Sequence, residues 1–256
     1  MVEYQINPKY KHLEKDILSL PERFKNEGEV IYTGRNILKV IECGGIPMCI
    51  KSFKTPHLIN KIAYAHFRKS KAERSFLYAT RFLKLKINTP EPIAYIVYKD
   101  NIGLTHSYYI CQQINYEYTF RGIINLPPND KEQALREFVC FTYNFHQRGV
   151  YFTDHSAGNT LIKRDESGKF HFYLVDLNRT KFKKVSDREG LRNLSNLEAT
   201  HDMLRIMADE YAFLTHAESE KTAKKLIQLT EAHNKATERK SFIRNTRRKI
   251  KRLFTS

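Results

Sequence analysis

Cysteine is sparse: four residues, at positions 43, 49, 111 and 140, and no pair has C-x-x-C spacing. That spacing argues against a zinc ribbon or a disulfide framework, and buried reduced thiols are the expected state. Long apolar runs are missing too. No stretch approaches the roughly 18 apolar residues that a membrane-spanning helix requires. The opening segment, MVEYQINPKYKHLEKDILSL, is too polar for the apolar stretch of a signal peptide, so the chain is expected to stay in the cytoplasm. There is no internal repeat, no low-complexity linker and no Gly-x-Gly-x-x-Gly run. Acid is in short supply: 28 Asp and Glu face 44 Lys and Arg, a net charge of +16. Half of that excess lies in Arg239–Arg252, which holds eight basic residues and no acid. A polyanionic partner is expected, whether phosphate, nucleic acid or an anionic lipid surface.

What is present is enough for a core. Hydrophobic residues make up 41% of the 256 positions, with 16 Phe and 15 Tyr, which excludes general disorder. After a short helix or extended arm reaching to about Leu20, residues 29–32, 36–43 and 47–53 read as strands. Gly44-Gly45 suits a tight hairpin turn, because glycine accepts positive φ. Residues 61–85 read as one long helix by three- and four-residue apolar spacing, and residues 93–98 and 107–112 as further strands. The pattern then changes. Residues 131–148 read as a helix stopped by Gly149, followed by strands over 160–163 and 170–176, and nearly everything from Leu191 onward is compatible with helix. The expectation is an α+β fold of two lobes meeting at a cleft: a β-rich lobe over 1–112, a helical lobe over 113–238, and a basic tail over 239–256.

Chemistry concentrates in Phe145–Ile162, where a helix ends and a loop carries Asp154 and Asn159 ahead of a short apolar strand. Seventeen residues beyond Asn159, the strand Phe172-Tyr173-Leu174-Val175 delivers Asp176. Helix, Asp-x-x-x-x-Asn loop, hairpin and terminal Asp follow one another in an order that resembles the catalytic core of the protein-kinase-like superfamily. The order has a chemical reason: phosphoryl transfer needs a carboxylate beside the attacking hydroxyl and hard oxygen ligands for Mg²⁺ on the phosphates of ATP. By that resemblance Asp154 orients or deprotonates the hydroxyl, and Asn159 and Asp176 hold the metal. Lys51, ending the apolar strand Pro47–Ile50, resembles the lysine that pairs ATP's phosphates. Glu73, the only acid between Lys51 and Glu91, is its implied partner.

The departures narrow the resemblance. Thr33-Gly34-Arg35-Asn36 stands where a glycine-rich loop would be, so covering the phosphates is expected to fall to backbone amides and Arg35. Phe152 and Thr153 replace His and Arg of the His-Arg-Asp motif, which argues against control by activation-loop phosphorylation. Asp176-Leu177-Asn178-Arg179 replaces Asp-Phe-Gly, and no Ala-Pro-Glu follows. Together with Lys71-Ala72-Glu73-Arg74, Ile87–Tyr95 and Thr153–Asn159, that segment resembles the bacterial lipopolysaccharide kinases that phosphorylate Kdo or heptose of the inner core. The resemblance runs from about Gly28 to Arg205. It implies ATP and Mg²⁺ as cofactors and a core sugar on a lipid A precursor as acceptor, at the cytoplasmic face of the inner membrane. Two other readings stay open on the residues alone: a kinase of the same fold with another small-molecule or protein acceptor, and a catalytically silent module that binds membranes or a partner.

In the tail, Phe242, Ile243, Thr246, Ile250, Leu253 and Phe254 recur at three- and four-residue intervals among basic residues. That is the pattern of an interfacial helix on anionic lipid, and the alternative is a helix packed on the second lobe with a solvated basic face. Nucleic acid is not the expected partner, since the tail has no interleaved Tyr or Trp. His146 reads as a packed residue; His155 reads either as an acceptor contact or as structural. His57, His66 and His106 have no metal-ligand spacing.

Overall fold

The computed structural model describes residues 1–54 and 69–253; past Ile243 only the Thr246 side chain is described. His57, His66, Phe254 and the expected helix over 61–68 therefore lie outside the described residues, as do the side chains of Ile250 and Leu253. The chain divides into two compact units, Met1–Tyr116 with Tyr173–Thr180, and Glu117–Phe172 with Lys181–Ser256.

The first unit is built on a six-stranded sheet in the order β1-β5-β6-β4-β3-β2. Its strands are β1 (Val2–Ile6), β2 (Glu29–Thr33), β3 (Ile37–Cys43), β4 (Ile46–Phe53), β5 (Pro92–Lys99) and β6 (Leu104–Gln112), and every pairing is antiparallel. The β3–β4 hairpin closes with Cys43 opposite Ile46, leaving Gly44 (φ 60°) and Gly45 (φ 73°) as a two-residue turn. Positive φ at both positions is what such a turn demands. Helix α1 (Glu14–Asn26) buries Ile17, Leu20 and Phe24 against Met48, Ile50, Ile96 and Ile110. Helix α2 (Lys71–Lys84) serves the opposite face, because side chains alternate along a strand: Tyr95 points away from Ala94 and Ile96 and meets Phe76 edge-on at 5.6 Å.

Two differences from the sequence reading are physical. The N-terminal arm is a strand, paired with β5 from Val2–Tyr98 to Ile6–Ala94. It lies at the sheet edge with only Ile6 buried, so backbone pairing holds it and no apolar alternation announces it. Helix α2 starts at Lys71, not earlier, because the Ser70 side chain accepts from the Glu73 N–H at 3.0 Å and caps it.

The second unit is mostly helical. Helix α3 (Pro128–Gln147) presents Leu135, Phe138, Val139, Thr142, Phe145 and His146 to its core and ends at Gly149, whose φ of 71° reverses the chain. Around it stand β7 (Tyr118–Thr119), β9 (Thr160–Arg164) and β10 (Phe170–Leu174), which form one small sheet. The strand β8 (Val150–Tyr151) pairs with β11 (Lys181–Phe182). Helices α4 (Asp187–Leu194), α5 (His201–Thr215) and α6 (Ser219–Leu253) complete the unit. Helix α6 packs through Ala223, Leu226 and Thr230. Further along, Phe242 and Ile243 are exposed, so at these two positions the helix does not pack on the core. Among the described residues no helix is long and apolar enough to cross a membrane. All four cysteines are free thiols, two buried and two half-buried.

Candidate active site

In the first unit the structure brings Lys51 and Asp176 together. The Lys51 Nζ lies 2.8 Å from Asp176 Oδ1, with both side chains largely shielded from solvent. Lys51 is fixed from below by the register of β4 with its neighbours, opposite Leu38 on β3 and Tyr109 on β6. Asp176 is fixed by the preceding residues: the Leu174 N–H donates to the Asn88 carbonyl at 3.1 Å, and the Thr89 hydroxyl donates to the Leu174 carbonyl at 2.8 Å. Asp176 itself is left-handed (φ 61°, ψ 46°), a conformation that costs a non-glycine residue about 1 kcal/mol or more. The Asn178 amide donates to the same Oδ1 at 2.5 Å, so the carboxylate is held by a neighbour two residues on.

The partner expected for Lys51 is not the one it has. The Glu73 carboxylate lies 3.1 Å from Lys69, just ahead of the helix, and Asp176 takes the Lys51 amine. Glu73 sits in the first turn of α2, where an exposed cation four residues earlier is within easy reach. Asp176 by contrast is pre-oriented by its turn.

Lys71 links Asp176 to a group of further cations. The Lys71 amine is pushed below its ordinary value first by burial, then by the guanidiniums of Arg35, Arg179 and Arg74, with Asp176 opposing. Arg35, named from sequence, is thus joined by three residues the sequence reading gave no role. Lys71, Arg74 and Arg179 sit in segments quoted only for their family likeness, and their proximity depends on tertiary structure. The Arg74 Nε is buried without a hydrogen-bond partner.

In the second unit, Asp154 and Asn159 share one tight loop. The Asn159 Nδ2 donates to the Asp154 carbonyl at 2.8 Å, and the Ser156 N–H donates to the same oxygen at 2.8 Å. With its nitrogen committed, Asn159 leaves its Oδ1 as the free end of the amide. Below the loop, Asn193 is fully buried and joins two elements. Its Nδ2 donates to the Phe152 carbonyl at 2.9 Å, and its Oδ1 lies 3.0 Å from His146 Nε2. A carbonyl can only accept, so the amide orientation is set and His146 must donate from Nε2. Burial holds His146 down to about 4.

His155, next to Asp154, is not aimed at an acceptor. It is 1% exposed, stacked on Phe138 at 5.4 Å and bordered by Phe145 and Phe152. Burial, and then His146, pull it down to about 3 against a weaker opposing effect of Asn193. It is a neutral core residue, and the structural alternative holds.

Each unit taken by itself offers a hard oxygen donor of the kind Mg²⁺ takes. Among the described residues no three His, Cys, Asp or Glu side chains cluster, and Mg²⁺ does not need them: it is commonly held by one or two carboxylates and the substrate's phosphates. Asp176 and the Asn159 Oδ1 are hard oxygen donors of that kind.

Comparison with known proteins places the chain in two steps. A solved structure of WaaP in complex with acyl carrier protein matches at TM-score 0.62 and 14% identity, over 93% of this chain and 98% of that one. The fold is therefore protein-kinase-like, an antiparallel sheet region followed by a helical one. A gentamicin–APH(2″)-IIa complex (TM-score 0.49, 13% identity, 87% of this chain and 86% of that one) is more distant. So is the Cydia pomonella granulovirus kinase PK-1 (0.43, 12%, 76% and 73%). No curated protein sequence matches the chain. The model of the lipopolysaccharide kinase (Kdo/WaaP) family matches residues 52–241, and the chain belongs to that family. It is a phosphotransferase-class protein of lipopolysaccharide biosynthesis.

Proposed function

We propose that the chain transfers the γ-phosphoryl group of ATP to a hydroxyl of an inner-core sugar, Kdo or heptose, on a lipid A-linked precursor at the cytoplasmic face of the inner membrane. The observation that carries this reading is the Lys51–Asp176 pair, 2.8 Å apart, with Asp176 also acting on Lys71, which feels the charges of Arg35, Arg74 and Arg179. With Glu73 held by Lys69, the five cations still exceed the Asp176 carboxylate, and the positive excess suits a polyphosphate.

On this reading Lys51 neutralises the donor phosphates, and Arg35 covers them where a glycine-rich loop is missing. Asp176 and Asn159 would hold Mg²⁺, which when bound screens the charge of the phosphates. Asp154 accepts the proton of the sugar hydroxyl as its oxygen bonds to the γ-phosphorus. The bond from that phosphorus to the β–γ bridging oxygen breaks, and ADP leaves with the electron pair. Catalysis here is positioning and electrostatics. The tail supports a lipid-borne acceptor: Arg239 and Lys240 are exposed beside exposed Phe242 and Ile243, an apolar and basic surface suited to anionic lipid.

Mass spectrometry of lipid A–core from cells with and without the gene tests the reading, with one phosphate fewer in its absence as the expected result. Identical spectra would refute it. In vitro, Asp154→Asn should keep ATP binding and lose transfer; full turnover in that variant would remove Asp154 from the mechanism.

A further inference from the structure

A second basic site lies within the helical unit. Helices α4, α5 and α6 line an open pocket of about 260 Å³, whose apolar lining includes Leu191, Tyr211 and Leu229. Four cations line it: Arg188 and Arg192 from α4, Lys221 and Lys225 from α6. Each pair is spaced i,i+4, so like charges stand on the same face of each helix, an arrangement that is destabilising unless an anion offsets it. None of the four makes an ion pair among the described residues. Elsewhere in this unit arginines find acids: Arg121 pairs with Glu198, Arg136 with Glu132 and Glu210, and Arg164 with Asp130. The one acid of the cavity is Asp187, whose backbone carbonyl accepts from the Tyr211 hydroxyl at 3.0 Å. Three positive charges remain uncompensated beside an apolar lining.

We infer that this cavity binds a phosphate group carried by the lipid-borne acceptor, anchoring it away from the reacting hydroxyl; the inference rests on the proposed acceptor class. Guanidinium groups match phosphate oxygens in pairs, and two lysines opposite them add point charge. The apolar lining suits the carbon face of a sugar. The charge excess selects against neutral ligands, and the small volume fits a single phosphorylated sugar better than a protein segment.

The test uses the full chain with ATP and phosphatidylcholine vesicles carrying lipid A–core, either with its phosphates or enzymatically dephosphorylated. Two double variants probe opposite walls: Arg188→Glu with Arg192→Glu, and Lys221→Glu with Lys225→Glu. Each should raise KM for the phosphate-bearing acceptor about tenfold, leave kcat and KM for ATP unchanged, and have no effect on the dephosphorylated acceptor. Unchanged KM in both variants, with the wild type active, would overturn the cavity assignment alone. If no protein transfers phosphate to lipid, the proposed acceptor fails. Co-sedimentation with the same vesicles then still reads the cavity, since both double variants should be retained severalfold less than the wild type on phosphate-bearing vesicles and equally on dephosphorylated ones. Free pyrophosphate displacing the wild type as readily as the vesicles do would reassign the cavity to soluble anions and overturn the lipid-borne occupant.

Discussion

Lowering the pH should unfold this protein through two histidines beneath the Asp154 loop. His146 and His155 are buried at 3% and 1% exposure and sit at about 4 and about 3, against an ordinary 6.5. Both values are depressed, so the unfolded chain takes up protons that the folded chain refuses, and stability falls as pH drops below 6.5. At pH 7.5 the effect is negligible. At pH 5 each histidine has cost about 2 kcal/mol, and the pair about 4 kcal/mol, out of the ~5–15 kcal/mol of a typical domain. The slope near pH 5 approaches two protons, on the order of 2–3 kcal/mol per pH unit. This window lies above the range where exposed carboxylates titrate, which isolates the imidazoles. Urea unfolding followed by circular dichroism between pH 7.5 and 5 reads the slope. His155→Leu should halve it, and so should His146→Gln, which can still donate to Asn193. A stability that is flat across the window, or a slope unmoved by either substitution, would refute the reasoning.

Other outcomes follow from the same geometry. Asn193→Leu removes the bridge between His146 and the Phe152 carbonyl and leaves buried polar groups unpaired at about 1–3 kcal/mol each. Its kcat should fall by more than the loss of folded protein explains, with KM for ATP within about twofold, because neither Lys51 nor Asp176 is touched; a loss proportional to the folded fraction would make Asn193 purely structural. Asp176→Ala should abolish Mg²⁺-dependent nucleotide binding measured by calorimetry, and unaltered binding would end its metal role. Replacing Arg239 and Lys240 by Glu should weaken sedimentation with anionic vesicles severalfold while phosphorylation of a detergent-dispersed acceptor persists, about 1 kcal/mol being at stake per basic residue; equal sedimentation would exclude them from lipid contact.

Much of the framework is legible without coordinates where chemistry and local geometry coincide. Gly44-Gly45 announces a hairpin because two positive φ values are needed there, and Gly149 announces the end of α3. The strand leading to Asp176 is visible as an apolar run between turns, although its ladder stops at Leu174 and the next residues turn. What escapes is decided across distance. Strand β1 is held by backbone pairing at an edge and carries little apolar pattern. The Ser70 cap moves the start of α2, because a hydroxyl on one N–H outweighs apolar spacing that continues upstream. The partner of Lys51 depends on which carboxylate is already oriented, and spacing alone selects Glu73 where the structure has Asp176. His155 and Asn193 give no local sign: a histidine beside the loop's aspartate looks chemical, and only its ring of phenylalanines shows it to be core.

Purified protein incubated with γ-labelled ATP, Mg²⁺ and isolated lipid A–core tests the central claim most directly. Label should appear in the lipid with wild-type protein and vanish with Lys51→Met. Label confined to protein, or none in lipid at saturating acceptor, would contradict the account.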